Sequence, residues 1–431
     1  MNLEGVHMAD PSAGHKPATA LKEFFFYVLL LVFAFAFFAT VRNNGFWHPG
    51  DYLSLLKALR ISQDWREVFV IAPMGTFQPL VNAVFYVEFS LFGDNPAGYY
   101  FFNIIVHALN AYLVYRIVHT LLKDRTIAVM SGLLFVFAVG NYGKAVMVVS
   151  GTGDLLITLL TLMTLLLYFK NELENEGRLN TVCFAGAVLF FLLSVLSKAT
   201  SFSILGCILA FNVFFRVQTG RRVFGKSFLV VAGLAFVVLV AKFSLMSEIP
   251  GAPDLGVSGP AFIRRYGSYL VRMVFPIQAS GLVSDSGPVV RFVYRMATEI
   301  RIITFLCILS YSVFGFIFGN RAIRFFIAWT YITVTPFCFF NFPSDWFNIR
   351  YLYLVSVGFV MILASGTALA AGLLYEKAWR RFIPYLVPLL FVFLSQFIIQ
   401  HLDSNYERLA QGEHLDGLKT QFYREYRAGG R

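Results

Sequence analysis

Residues 98–122, GYYFFNIIVHALNAYLVYRIVHTLL, decide what kind of protein this is. A helix needs about 20 predominantly apolar residues to cross a bilayer, and this run is long enough. Asn103, His107 and Asn110 fall at i, i+4 and i+7, which puts one polar stripe on an apolar rod. Such a stripe cements helices to one another through interhelical hydrogen bonds. A metal site is the other reading of the histidine, but no second His–carboxylate cluster supplies the remaining ligands.

Outward from this segment, further apolar runs occupy 23–42, 127–140, 154–169, 180–197, 200–215, 227–247, 300–318, 325–341, 351–375 and 383–400. The length rule then gives about eleven spans. The whole chain agrees, with 58% hydrophobic and 14% charged residues, against roughly 25% charged in soluble proteins. Backbone polar groups in lipid must be satisfied within their own segment, and no ten-residue alternation of a barrel is present. The reading is an all-α, polytopic integral membrane protein. No repeat or low-complexity stretch divides it. A polar N-terminus (1–22), one membrane domain (23–400) and a short polar tail (401–431) are expected.

The net charge of +11 is not a nucleic-acid signal. Lys123/Arg125, Arg216/Arg221/Arg222/Lys226, Arg321/Arg324 and Lys377/Arg380/Arg381 fall in alternate loops, and such clusters orient a chain. Placing them inside puts the N-terminus in the cytoplasm and the tail outside. Lys16 and Lys22 precede a first apolar run without a small-residue cleavage site, so that run reads as a retained helix. Cys183, Cys207, Cys307 and Cys338 sit in apolar segments and read as core residues rather than disulfides.

Three loops then face outward. The first, 43–97, holds a Leu-rich stretch after Asp51 and a second amphipathic run from Gln78 to Phe92, both read as interfacial helices. The second, 248–299, contains Ile263 to Gly281, an interfacial helix or a twelfth span. Arg264, Arg265 and Arg272 favour the interface, because arginine is costly at the bilayer centre. The third, Asn341 to Arg350, is short. Asp51 in Trp47-His48-Pro49-Gly50-Asp51-Tyr52 reads first as a helix cap, and second as a general base or metal ligand. Asp154, opening a span after Ser150-Gly151-Thr152-Gly153, divides evenly between cap and functional acid. Lys144, Lys198, Arg264, Arg265, Arg272 and Arg350 face outward against the positive-inside trend. Arginine forks and lysine charges suit a phosphate or pyrophosphate, while anionic headgroups are the plainer partner.

These segments also carry a family resemblance. Phe77-Gln78-Pro79-Leu80, the run Leu91 to Tyr100, Asn103…His107…Asn110, Lys144-Ala145-Val146, Ser150 to Leu156, Leu196-Ser197-Lys198-Ala199-Thr200, Tyr269-Leu270…Phe275-Pro276 and Arg350-Tyr351-Leu352-Tyr353 to Phe359 follow one another in order. Together, over roughly 50–360, they resemble the membrane part of the GT-C superfamily. The specific likeness is to the transmembrane/tetratricopeptide-repeat O-mannosyltransferases and their bacterial relatives. The resemblance implies a glycosyltransferase moving a hexosyl or pentosyl unit from a polyprenyl-phosphate carrier on the outer face of the membrane, and the missing repeats and compact loops point to a bacterial inner membrane. It carries Asp51 over as the second acid of a catalytic pair, and Lys198 and Arg350 as holders of the carrier phosphate.

Departures accompany it. The first acid of the pair is Gly50; the family's Tyr-Arg-Pro-Leu is Phe77-Gln78-Pro79-Leu80; and Lys144, Ala199 and Ile349 stand at three more acidic positions. A divalent cation would find only Asp51 and Asp154, so no cofactor is expected on firm grounds. Three functions follow: an active transferase, a degenerate scaffold subunit of a larger membrane complex, or a transporter. The last lacks the paired halves and midplane ionisable residues of that class.

Overall fold

A computed structural model of the chain describes residues 17–71, 77–137, 144–174, 180–217, 220–246, 259–274, 296–339, 349–374, 386, 390 and 413–428. Those residues form helices and turns, with no strand among them. In chain order the helices are α1 (Pro17–Phe37), α2 (Pro49–Gln63), α3 (Pro79–Phe92), α4 (Pro96–Leu122), α5 (Arg125–Phe137), α6 (Lys144–Met147), α7 (Thr152–Glu174), α8 (Thr181–Ser197) and α9 (Ser203–Phe211). There follow α10 (Lys226–Met246), α11 (Gly259–Val274), α12 (Ala297–Phe318), α13 (Arg321–Cys338), α14 (Leu352–Leu374) and α15 (Glu413–Ala428).

Local chemistry sets the ends. The Asn95 side chain caps α4 by accepting from Ala97 N at 3.1 Å, with Pro96 in the first turn, where a missing N–H costs nothing. Asn180 and Asn320 cap α8 and α13 in the same way. α9 passes into a π-helical turn, Asn212–Arg216.

Among the described residues, four stretches are long and apolar enough to cross a membrane by themselves: Pro96–Leu122, Val149–Leu173, Arg301–Phe318 and Leu352–Leu369. Shorter apolar helices, including Arg125–Phe137 and Thr181–Ser197, complete the bundle. The predicted span 383–400 lies outside the described residues apart from Leu386 and Leu390.

α4 is the hub, packed against α1, α5 and α7, while α7 runs along α8 and α14 packs on α5 and α13. Small residues permit these approaches: a Cβ on Gly358 of α14 would lie 2.7 Å from Phe326 O of α13. α12 sits at the periphery, with Ile302, Phe314 and Phe318 exposed as a lipid-facing surface.

The two predicted interfacial regions are short helices. α3 has 14 residues, and α11 has 16 up to Val274, beyond which the predicted region 263–281 lies outside the described residues. The tail supplies an independent constraint. α15 packs on α2, with Phe422 fully buried, its ring 6.1 Å from Tyr52 and 5.4 Å from Tyr426. The tail therefore ends on the side of the first loop.

Phe422→Ala is expected to remove about 3 kcal/mol of docking through the cavity it leaves. Limited proteolysis should then cleave within α15 while helical content stays constant. Unchanged protection would mean that Phe422 does not hold the tail.

Candidate functional site

The site grows from the loop after α1. His48 caps α2: its Nδ1 accepts from Gly50 N at 2.9 Å, and Asp51 returns the favour by accepting from His48 N at 3.1 Å. Asp51 does more than cap. Its Oδ1 accepts from Ser150 N at 2.7 Å, tying α2 to the 3-10 turn Val149–Gly151 ahead of α7. The carboxyl is fully buried, and burial pushes its pKa up to about 6 against the opposing pull of the Ser150 and His48 N–H groups. Gly50 is packed closely. A Cβ there would lie 2.8 Å from Ser150 Oγ and 2.9 Å from His48 Nδ1, so an acid at this position has no room unless Ser150 moves.

The same turn is gripped from other directions. Trp47 Nε1 donates to Met147 O at 3.1 Å. Asn103 Nδ2 donates to Val148 O at 3.1 Å, and Asn103 Oδ1 accepts from Thr152 Oγ1 at 2.8 Å. Asn110 Nδ2 donates to Leu155 O at 3.1 Å. His107 bridges Tyr353 OH, 2.6 Å from Nδ1, and Val136 O, 3.3 Å from Nε2. Since Val136 O can only accept, Nε2 carries the proton and Nδ1 accepts from the tyrosine. The α4 stripe thus joins α5, α7 and α14.

Beyond this turn lies the charged centre. Asp154, in the first turn of α7, meets Lys198 Nζ through Oδ1, and Arg350 Nε lies 3.2 Å from Oδ2. Lys198 is the residue that ends α8, and Arg350 sits in the 3-10 turn Ile349–Tyr351 that leads into α14. Three separate helix ends therefore converge. Tyr351 floors the cluster, its ring 4.3 Å from Lys198 Nζ and stacked at 4.8 Å on Phe337. Arg350 Nη1 is buried without a hydrogen-bond partner. Asp154, Thr158, Thr200, Phe337, Arg350 and Tyr353 line a cavity with room for about one water molecule. Asp51 lies within electrostatic reach of Arg350, so both acids belong to one region.

Other expected residues are placed differently. On α11, Arg264 is exposed and Arg272 half-buried, while Arg265 lies near Cys338. That helix approaches the cluster through rings, Tyr269 at 6.4 Å from Phe337. Lys144 starts α6, and its side chain lies outside the described residues. A divalent cation does not fit: Asp154 is committed to two cations and Asp51 to two N–H groups. Sequence reasoning missed Glu88, a buried acid on α3. The available signal was its spacing, since Val81, Phe85, Glu88 and Phe89 share the buried face.

Removing Asp154 leaves two partly buried cations unmatched. Asp154→Ala should cost about 3 kcal/mol in detergent unfolding, and adding Lys198→Met should recover part of the loss. Strict additivity of the two changes would contradict the coupling.

The family model described as Dolichyl-phosphate-mannose-protein mannosyltransferase matches residues 76–245, the segment from α3 through α10 that carries Asp154 and Lys198. No curated protein matches the sequence. Among solved structures, the apo oligosaccharyltransferase of Archaeoglobus fulgidus aligns over 93% of this chain at 15% identity and a TM-score of 0.50. The oligosaccharyltransferase AglB from Archaeoglobus fulgidus, solved with an inhibitory peptide and a dolichol-phosphate, aligns over 93% of this chain at 15% identity and a TM-score of 0.48. The chain spans 57% of the apo enzyme's length and 56% of the other's. The chain thus shares the helical membrane fold of the apo oligosaccharyltransferase, and its residues 76–245 resemble the mannosyltransferase family model.

Proposed function

We propose that this protein transfers a sugar from a polyprenyl-phosphate-linked donor to an acceptor hydroxyl on the extracytoplasmic face of a bacterial inner membrane, with its N-terminus in the cytoplasm. The observation that carries the reading is the convergence of Lys198 and Arg350 on Asp154. Two cations share one carboxylate, so the three groups retain one positive charge, and Arg350 Nη1 has no hydrogen-bond partner. That arrangement suits a phosphate anion. The match of residues 76–245 to a family named for a dolichyl-phosphate-linked donor supports the same substrate class.

In this reading the acceptor oxygen bonds to the anomeric carbon as the bond from that carbon to the phosphate oxygen breaks, and Lys198 and Arg350 stabilise the charge left on the phosphate. Asp51 takes the proton of the acceptor hydroxyl. Its oxygens are occupied by N–H groups, so the turn Val149–Gly151 must release Oδ1 for the step. Arg264, Arg265, Arg272 and Lys144 are assigned, in the same proposal, to the carrier's headgroup region.

A second reading has its own observations. The cavity holds about one water, Asp51 is fully buried, and Gly50 leaves no space for a second acid. With Ser150 as placed beside Gly50, these favour a GT-C-type subunit that keeps the scaffold without the reaction, held in a complex with other membrane proteins.

One assay separates the two readings: sugar transfer from polyprenyl-phosphate-mannose by the purified chain in lipid nanodiscs. The enzyme reading expects turnover that falls about 100-fold or more in Arg350→Ala. The base acts ionised, so with a pKa of about 6 the rate should climb about tenfold per pH unit below that value and level off above it. Asp51→Asn should abolish both the rate and this limb. A pH-independent rate would remove Asp51 from the mechanism. Absence of turnover together with fixed stoichiometric partners would establish the scaffold.

A further inference from the structure

Glu88 is a structural oddity that neither the proposed reaction nor the bundle's packing explains. It lies on the buried face of α3 at 2% exposure, on a helix that packs against α2, α4, α7 and α8. Neither carboxyl oxygen has a hydrogen-bond partner. A buried, unpaired carboxylate is among the most unfavourable groups a protein can hold, and such groups relieve the cost by staying protonated. Burial accordingly holds Glu88 well above the usual carboxylate range, eased only by the approach of the Thr152 side chain.

Proton inventory settles which way a contact between the two runs. The Thr152 hydroxyl has one proton, and its acceptors are Asn103 Oδ1 at 2.8 Å and Val149 O at 3.0 Å. With that proton committed, Thr152 Oγ1 can only accept from Glu88. A carboxylate has nothing to donate, whereas a carboxylic acid does. A protonated Glu88 turned on Thr152 would extend the run from Thr152 to Asn103 to Val148 O and give every donor an acceptor.

We propose that Glu88 is a neutral, proton-bearing positioning residue, whose hydroxyl docks on Thr152 and sets the register of residues 148–154. Its significance follows from what that segment carries: Ser150 N, which binds Asp51, and Asp154, which gathers Lys198 and Arg350. α3 thereby supplies a third hold on a turn already held by α2 and α4. The role in sugar transfer rests on the proposed function; the hydrogen bond and the register do not.

Two substitutions separate the donor from mere bulk. Glu88→Gln keeps an N–H donor for Thr152, and Glu88→Met keeps the approximate volume without one. In the infrared spectrum of the full chain in nanodiscs at pH 7, wild type should show the carbonyl stretch of a protonated carboxylic acid, lost in both variants. Hydrogen exchange read without any donor lipid should be near wild type for 148–154 in Glu88→Gln, and roughly fivefold faster in Glu88→Met. Where transfer is measurable, the donor KM should follow the same order with kcat little changed. Absence of the band, or equal exchange rates in the two variants, would overturn the proposal. A wild-type chain with the band and the exchange pattern but no transfer would sink the enzymatic reading alone.

Discussion

Asp154 stands where three helix ends meet, and the cost of burying its charge is offset only while Lys198 and Arg350 face it. That requirement fixes the start of α7, the end of α8 and the entry to α14 relative to one another. It also explains why the cluster is open to function. The match is incomplete by one positive charge, and Arg350 Nη1 is left without a hydrogen-bond partner. An ionic joint that is complete would only hold the bundle together; this one has capacity for an additional anion.

Around that joint the neighbouring elements act mostly on backbone. Trp47, Asp51, Asn103 and Asn110 all bond main-chain groups of residues 147–155. Gly151 shows how close the turn lies to α6, since any Cβ there would run into Ala145 O. A segment fixed by so many separate donors and acceptors has little freedom, which is what a precise charge constellation needs. Opening Asp51 toward an acceptor would have to break one of these bonds. The pull between a rigid turn and an accessible base is where the enzymatic and scaffold readings part.

Length and polarity made the bundle legible. The run 98–122 became α4 to within two residues, and the arginine-bearing stretch after 258 became the helix α11. The docking of α15 on α2 was not legible, because nothing local in a polar 16-residue helix names its partner. Site residues were found singly more readily than in their groups. Asp51 and the basic residues were expected to face one another, yet Asp51 reaches for Ser150 while Asp154 takes the cations. Lys198 and Arg350 lie far along the chain from Asp154, and sequence spacing carries no information about such contacts. Glu88 escaped notice because one acid among apolar residues resembles a surface position until its neighbours are known.

The most direct test of the central claim is a cryo-electron microscopy map of the chain in nanodiscs with polyprenyl phosphate added. The account predicts phosphate density within hydrogen-bond reach of Lys198 Nζ and the Arg350 guanidinium, beside Asp154. A lipid phosphate resolved elsewhere, with Lys198 and Arg350 still closed on Asp154, would contradict it.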